Sequence, residues 1–148
     1  LLLTQYSIVR LFRAVEPVFL IELVIATNIV IAAYSILALG VFGYGWLAKK
    51  TFPKLGRILP AAYSGLLDTQ VLLGLILMIW TGLAGAGFPR FRLEHMTMMI
   101  IAAVVAHLPS RWVKAGRANL YRDTFLIILA SLLLIYIGVS LLPGGWNR

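Results

Sequence analysis

Four long, almost uninterrupted apolar stretches divide this chain, over residues 17–47, 58–86, 93–112 and 124–142. A helix needs about 20 apolar residues to cross a hydrocarbon core about 30 Å thick. Backbone amides surrounded by hydrocarbon find no water, so each stretch is expected to cross as a helix that satisfies its own amides. The fold expected is therefore all-α: an integral membrane four-helix up-down bundle, one transmembrane domain over residues 1–148, its short loops joining neighbouring helices. The third stretch is the shortest in uninterrupted form, ending at Leu108, and it reaches Trp112 if Pro109 only kinks it. The first is longer than a bilayer requires, so tilt or projection beyond the bilayer is expected.

Composition agrees. Apolar types make up 61 % of the chain and charged types 12 %, against about 45–50 % and about 25 % in soluble domains. The net charge is +8. The cations sit in short clusters between apolar stretches, which reads as topology signal and anionic-lipid contact. No basic stripe interleaved with aromatics lies outside these loops, so nucleic acid is not an expected partner. With no cysteine, disulfides, thiolate metal sites and iron–sulfur clusters are excluded. The chain does not begin with Met, and Leu1–Leu3 are not read as a signal peptide.

Punctuation falls where helices should end. Pro17 suits a first helical turn, Lys49 and Lys50 close the first helix, and Pro53 prevents its continuation. Gly85, Gly87 and Pro89 break the chain between the second and third helices. Asp123 or Thr124 is the expected cap of the fourth, which ends at Pro143-Gly144-Gly145. Residues 4–15 set Val9 and Phe12 against Arg10 and Arg13, the pattern of a short interfacial helix or of an extended lead-in. Gly40 and Gly43, Gly74 and Gly82, and Ala102, Ala103 and Ala106 form small-residue faces on which helices approach closely.

Basic residues set the orientation. The first loop carries Lys49, Lys50, Lys54 and Arg57, and the third carries Arg111, Lys114, Arg117 and Arg122. Against these eight, the other side has Arg10, Arg13, Arg90, Arg92 and Arg148. The excess places these two loops in the cytoplasm and both termini outside.

Ionisable groups at membrane depth are costly and mark candidate sites. Asp68 lies well inside the second helix and must be protonated, hydrated or paired; its role is helix packing, ligand binding or proton handling. Glu22 and Glu94 are the other intramembrane carboxylates. His95 follows Glu94, the carboxylate expected to orient it, and His107 comes twelve residues later. Twelve helical residues span about 18 Å and turn by about 120°, so the two histidines share neither a face nor a metal ion. Zinc is not expected, and no catalytic set is present. A b-type haem needs one or two axial side chains, for which His95 and His107 are the candidates. Met96, Met98 and Met99 read as packing.

Several strings belong together: GWLAKKTFPKLGR, TQVLLGLIL, RLEHMTMMIIAAVVAHLPSRWVKAGRA and a terminal PGGW. From about Pro17 to Trp146 the chain resembles a family of small four-helix bacterial membrane proteins, sometimes labelled cytochrome b-like. The resemblance implies residence in the bacterial inner membrane and implies Glu94, His95 and His107 as the pattern of the third helix. Here the chain departs from the family, with Asp68 at the second-helix histidine position and no histidine in the first helix. The function expected is a small accessory or structural subunit of a larger electron-transfer membrane complex, without catalysis of its own. Its partners are then membrane lipids and other membrane subunits, with quinone or lipid contact. The alternatives are a b-type haem electron carrier and a proton or ion transporter using Asp68.

Overall fold

The computed structural model describes residues 17–51, 53–116 and 118–146. The segment 4–15 read above as an interfacial helix lies outside the described residues. Every regular element among the described residues is helical: α1 (Val18–Leu47), α2 (Pro53–Thr81) continuing into a wide π-type turn (Gly82–Ala86), α3 (Arg90–Ala106), α4 (Leu108–Lys114) and α5 (Leu120–Ser140). Four runs, Val18–Leu47, Pro53–Ala86, Arg90–Lys114 and Leu120–Ser140, are long and apolar enough to cross a membrane.

The ends follow local chemistry. α1 closes with Lys49 in the left-handed region at φ 52°. The N–H of Lys50 donates to the Gly45 carbonyl at 3.0 Å and that of Lys49 to Trp46 at 3.4 Å. This is the double closure that usually places glycine where Lys49 stands. α2 starts at Pro53, five residues before its apolar stretch, because Lys54 and Arg57 are good helix formers and Pro53 suits a first position. Pro60 inside α2 cannot donate to the Gly56 carbonyl, and its ring is buried. Gly85 (φ 120°) and Gly87 (φ 65°) turn the chain after α2. Pro109 has the kinking effect expected of it: helix stops at His107 and resumes at Leu108.

The expected cap of the last helix is corrected. α5 begins at Leu120, with Asn119 at the cap position and no side-chain cap bond. Asp123 and Thr124 lie inside α5 and are buried. Leu120, Tyr121 and Arg122 extend the helix backwards because the Tyr121 ring packs onto Gly45 and Gly56.

The core gathers Ile31, Ala38 and Phe42 of α1, Leu59, Tyr63 and Leu67 of α2, Ala103 and Ala106 of α3, and Ile128 of α5. The alanine face of α3 is buried as expected, Ala102 and Ala106 at 1 % exposure each. Gly74 admits the Met96 methyl and Gly43 the Phe125 ring. Gly40 is different: no atom lies within 4 Å of where its Cβ would stand, so it makes no close approach. The approaches missing from the sequence reading are Gly45 and Gly56 at Tyr121, and Gly138 at Met98 and Met99. At most 28 % of any spanning window is buried, so much of each helix faces outward.

Candidate functional site

Two separate polar constellations emerge, each with one histidine. In the first, His107 at the α3–α4 break meets Asp68 of α2, thirty-nine residues away in sequence. Its Nε2 lies 3.1 Å from Oδ1 and 3.0 Å from Oδ2, so one ring N–H is shared between both carboxylate oxygens. The kink that Pro109 imposes ends α3 beside Asp68. Asp68 is thus paired with His107 in the structure. The pair sits on the outer flank of the helices, with side-chain exposures of 47 % for His107 and 52 % for Asp68.

In the second constellation His95 points to α5. Its Nδ1 lies 2.7 Å from the Gly138 carbonyl oxygen. A carbonyl only accepts, so Nδ1 carries the proton, and in the neutral ring Nε2 holds the lone pair. Gly138 permits this contact, since a Cβ there would meet the Met99 methyl at 2.5 Å and Met98 Cβ at 3.1 Å. The expectation that Glu94 orients His95 is corrected. Glu94 Oε1 instead accepts from Arg90 Nε at 2.6 Å, one turn back on its own helix. The orienting group is a main-chain carbonyl, to which side-chain identities gave no clue.

His95 lines a cavity of about 440 Å³ between α1, α2, α3 and α5, within the about 300–1,000 Å³ usual for small-molecule sites. The wall is mostly apolar and includes Met78, Met96 and Met99. Its polar members are Asn28, Gln70, Thr81, Arg92 and His95. Arg92 Nη1 donates to Thr81 Oγ1 at 2.8 Å. Gln70 Nε2 reaches the Val24 carbonyl at 3.5 Å, while its Oε1 is buried without a hydrogen-bond partner.

Glu22 is exposed on α1 and joins neither constellation. Among the described residues no group of three or more His, Asp or Glu side chains could hold a metal ion. Asp123, read only as a cap, is a buried carboxylate bound by Arg122 Nη2 at 2.9 Å. A shallower depression of about 590 Å³ lies along Pro53, Lys54, Arg57, Ile58, Ala61 and Ala62. Its two cations over an apolar floor suit contact with anionic lipid.

A haem held by both histidines does not fit this chain, because His107 is engaged on the outer flank while His95 lines the cavity. A haem held by His95 alone fits the donor chemistry. An imidazole whose Nδ1–H is fixed by a carbonyl presents Nε2 as a ligand, and Met78 shares its cavity. No family model, curated protein or solved structure matches this chain.

Proposed function

We propose that this chain is a multi-pass protein of the bacterial inner membrane whose helices run alternately up and down. In this reading it serves as an accessory subunit of a larger electron-transfer complex and has no catalysis of its own. The first and third loops lie in the cytoplasm and both termini outside, following the basic residues. The observation that carries the subunit role is the exposure of Asp68 and His107, each about half open on the outer flank. Ionisable groups at membrane depth normally face protein or a water-filled cavity, since hydrocarbon penalises them by at least about 2.5–3.5 kcal/mol. A neighbouring subunit covering this flank removes that penalty. The electron-transfer context comes from the family resemblance noted in the sequence.

The test is purification from native membranes in mild detergent, with mass spectrometry of whatever accompanies the chain. A redox complex at fixed stoichiometry is expected. Replacing both Asp68→Leu and His107→Leu strands neither charge, so the chain should still fold. Its recovery with the complex should nevertheless fall at least tenfold, or about 1.4 kcal/mol. Full recovery of the double variant, or a wild-type chain that purifies alone, rejects the subunit role. A chain that stays monodisperse without detergent or lipid rejects membrane residence.

A second reading, a b-type haem electron carrier, is supported by the fixed tautomer of His95 in a methionine-lined cavity. His95 would hold the haem iron through Nε2, with Arg92 of the same cavity beside a propionate, and the group would supply one-electron transfer. His95→Ala is expected to remove the Soret absorbance and His107→Ala to leave it. Equal loss in both variants overturns this assignment.

A further inference from the structure

We infer that the cavity between α1, α2, α3 and α5 binds a long-chain carboxylate, its head on the Arg92 guanidinium and its single tail along the apolar wall. This goes beyond the subunit role and does not depend on it, since the binding belongs to this chain alone. Arg92 carries the inference. Its Nη1 donates to Thr81 Oγ1 at 2.8 Å, which draws the guanidinium onto the wall where α2 ends. Thr81 Oγ1 gives its own proton to the Leu77 carbonyl at 2.8 Å, so toward Arg92 it only accepts, and it cancels no charge. Glu94, the carboxylate nearest in sequence, is taken by Arg90 at 2.6 Å. Residues two apart on a helix point about 200° apart, so Glu94 leaves the far side of α3 from Arg92. Arg92 thus has no carboxylate within ion-pair reach among the described residues. It is also only partly exposed, and a charge withdrawn from water is normally paired.

The rest of the cavity suits a hydrocarbon tail. Thr81 touches Arg92 at one end, and Gly74 admits the Met96 methyl further along, so both helices lead away from the same charged end. The lining follows α2 from Thr81 back to Val71, ten residues or about 15 Å of helix. Along α3 it runs from Arg92 to Met99, seven residues or about 10 Å. Leu77, Met78 and Met99, with Ile135 and Val139 of α5, make this stretch apolar. The other polar members do not compete for the head. In the neutral ring His95 Nε2 carries no proton and donates nothing to an anion. Gln70 has its Oε1 buried and its Nε2 turned to the Val24 carbonyl, and Asn28 is exposed.

Three properties select the ligand. A carboxylate accepts two N–H groups from the planar guanidinium and cancels its charge. An alcohol on the same tail accepts a hydrogen bond and leaves the charge standing. A phospholipid brings the charge but also a second tail, and a volume of about 440 Å³ is near the lower end of the about 300–1,000 Å³ usual for small-molecule sites.

The test titrates radiolabelled oleate into the purified chain in dodecyl maltoside micelles, with protein-free micelles as the blank. Saturation at one oleate per chain is expected, with oleyl alcohol competing at least about tenfold less well. Dioleoylphosphatidylglycerol should also be the weaker competitor. Arg92→Gln should weaken oleate binding at least about tenfold, whereas Arg90→Gln, which removes an exposed cation two residues away, should leave it unchanged. Oleyl alcohol or the phospholipid competing as well as oleate overturns the inference. So does an equal loss in the two arginine variants, or a haem at one per chain that oleate cannot displace. If Arg92→Gln fails to fold, the ranking of the three ligands on the wild-type chain decides alone. A chain that binds no oleate refutes this site and leaves the co-purification result standing, so the two proposals fall separately.

Discussion

Alanine at Gly45 is expected to destabilise the protein by about 1–3 kcal/mol, the range for overpacking a close contact. Alanine at Gly40 is expected to leave stability unchanged or raise it by up to about 1 kcal/mol, the helix-propensity difference between the two residues. Both glycines lie in α1, five residues apart, and only their surroundings differ. A Cβ on Gly45 would stand 2.7 Å from Tyr121 Cε1 and 3.0 Å from the Lys50 carbonyl oxygen. Neither neighbour yields readily. The Tyr121 ring is held by Phe42, with centroids 5.4 Å apart, and by Gly56, whose own Cβ would lie 3.2 Å from the Tyr121 hydroxyl. The Lys50 carbonyl belongs to the backbone that closes α1. Around Gly40 there is open space. Thermal unfolding of both variants in detergent, followed by helical circular dichroism, checks the contrast. Equal shifts at the two positions would show that α1 and α5 are not packed through Tyr121.

The difference between those glycines also marks where sequence stops informing. Four helices were legible because length and hydropathy act locally, and Pro109 announced its kink because a missing N–H acts within one turn. The burial of Ala102 and Ala106 was legible from small residues recurring four apart. Nothing local separates Gly40 from Gly45, since what matters is which ring arrives from α5, seventy-six residues further along at Tyr121. The same holds for the candidate sites. Asp68 and His107 stood out as ionisable groups in apolar runs, but their union depends on where the α3 break falls relative to α2. Glu94 beside His95 suggested an orienting pair by adjacency, although neighbours in a helix point about 100° apart. Gly138, which holds His95, contributes a backbone oxygen, and every residue has one of those. Asp123 misled because a carboxylate before an apolar run resembles a cap whether or not the helix has already begun.

Tyr63 sets the other large expectation. It is buried to 1 % exposure at the centre of the core, and its hydroxyl lies 2.7 Å from Ser131 Oγ. Ser131 Oγ donates its one proton to the Ile128 carbonyl at 2.9 Å, so Tyr63 is the donor in the pair. Tyr63→Phe therefore deletes one hydrogen bond and leaves Ser131 with its own, at a cost of about 0.5–1.5 kcal/mol. Tyr63→Ala also deletes the ring. In water-soluble cores, aromatic-to-alanine changes cost about 3–5 kcal/mol. Part of that figure is transfer of apolar surface from water, a term that does not recur in the membrane setting proposed above, where separated helices would remain in hydrocarbon. The remainder is lost packing between α1, α2 and α5, where Phe42 and Ile128 are fully buried. The alanine variant should accordingly unfold well before the phenylalanine one, yet by less than the soluble figure. Unfolding free energies measured in bilayer-mimicking micelles decide the matter. A Tyr63→Ala cost no larger than that of Tyr63→Phe would mean the ring fills no space the helices need, and the buried core of this protein would have to be drawn elsewhere.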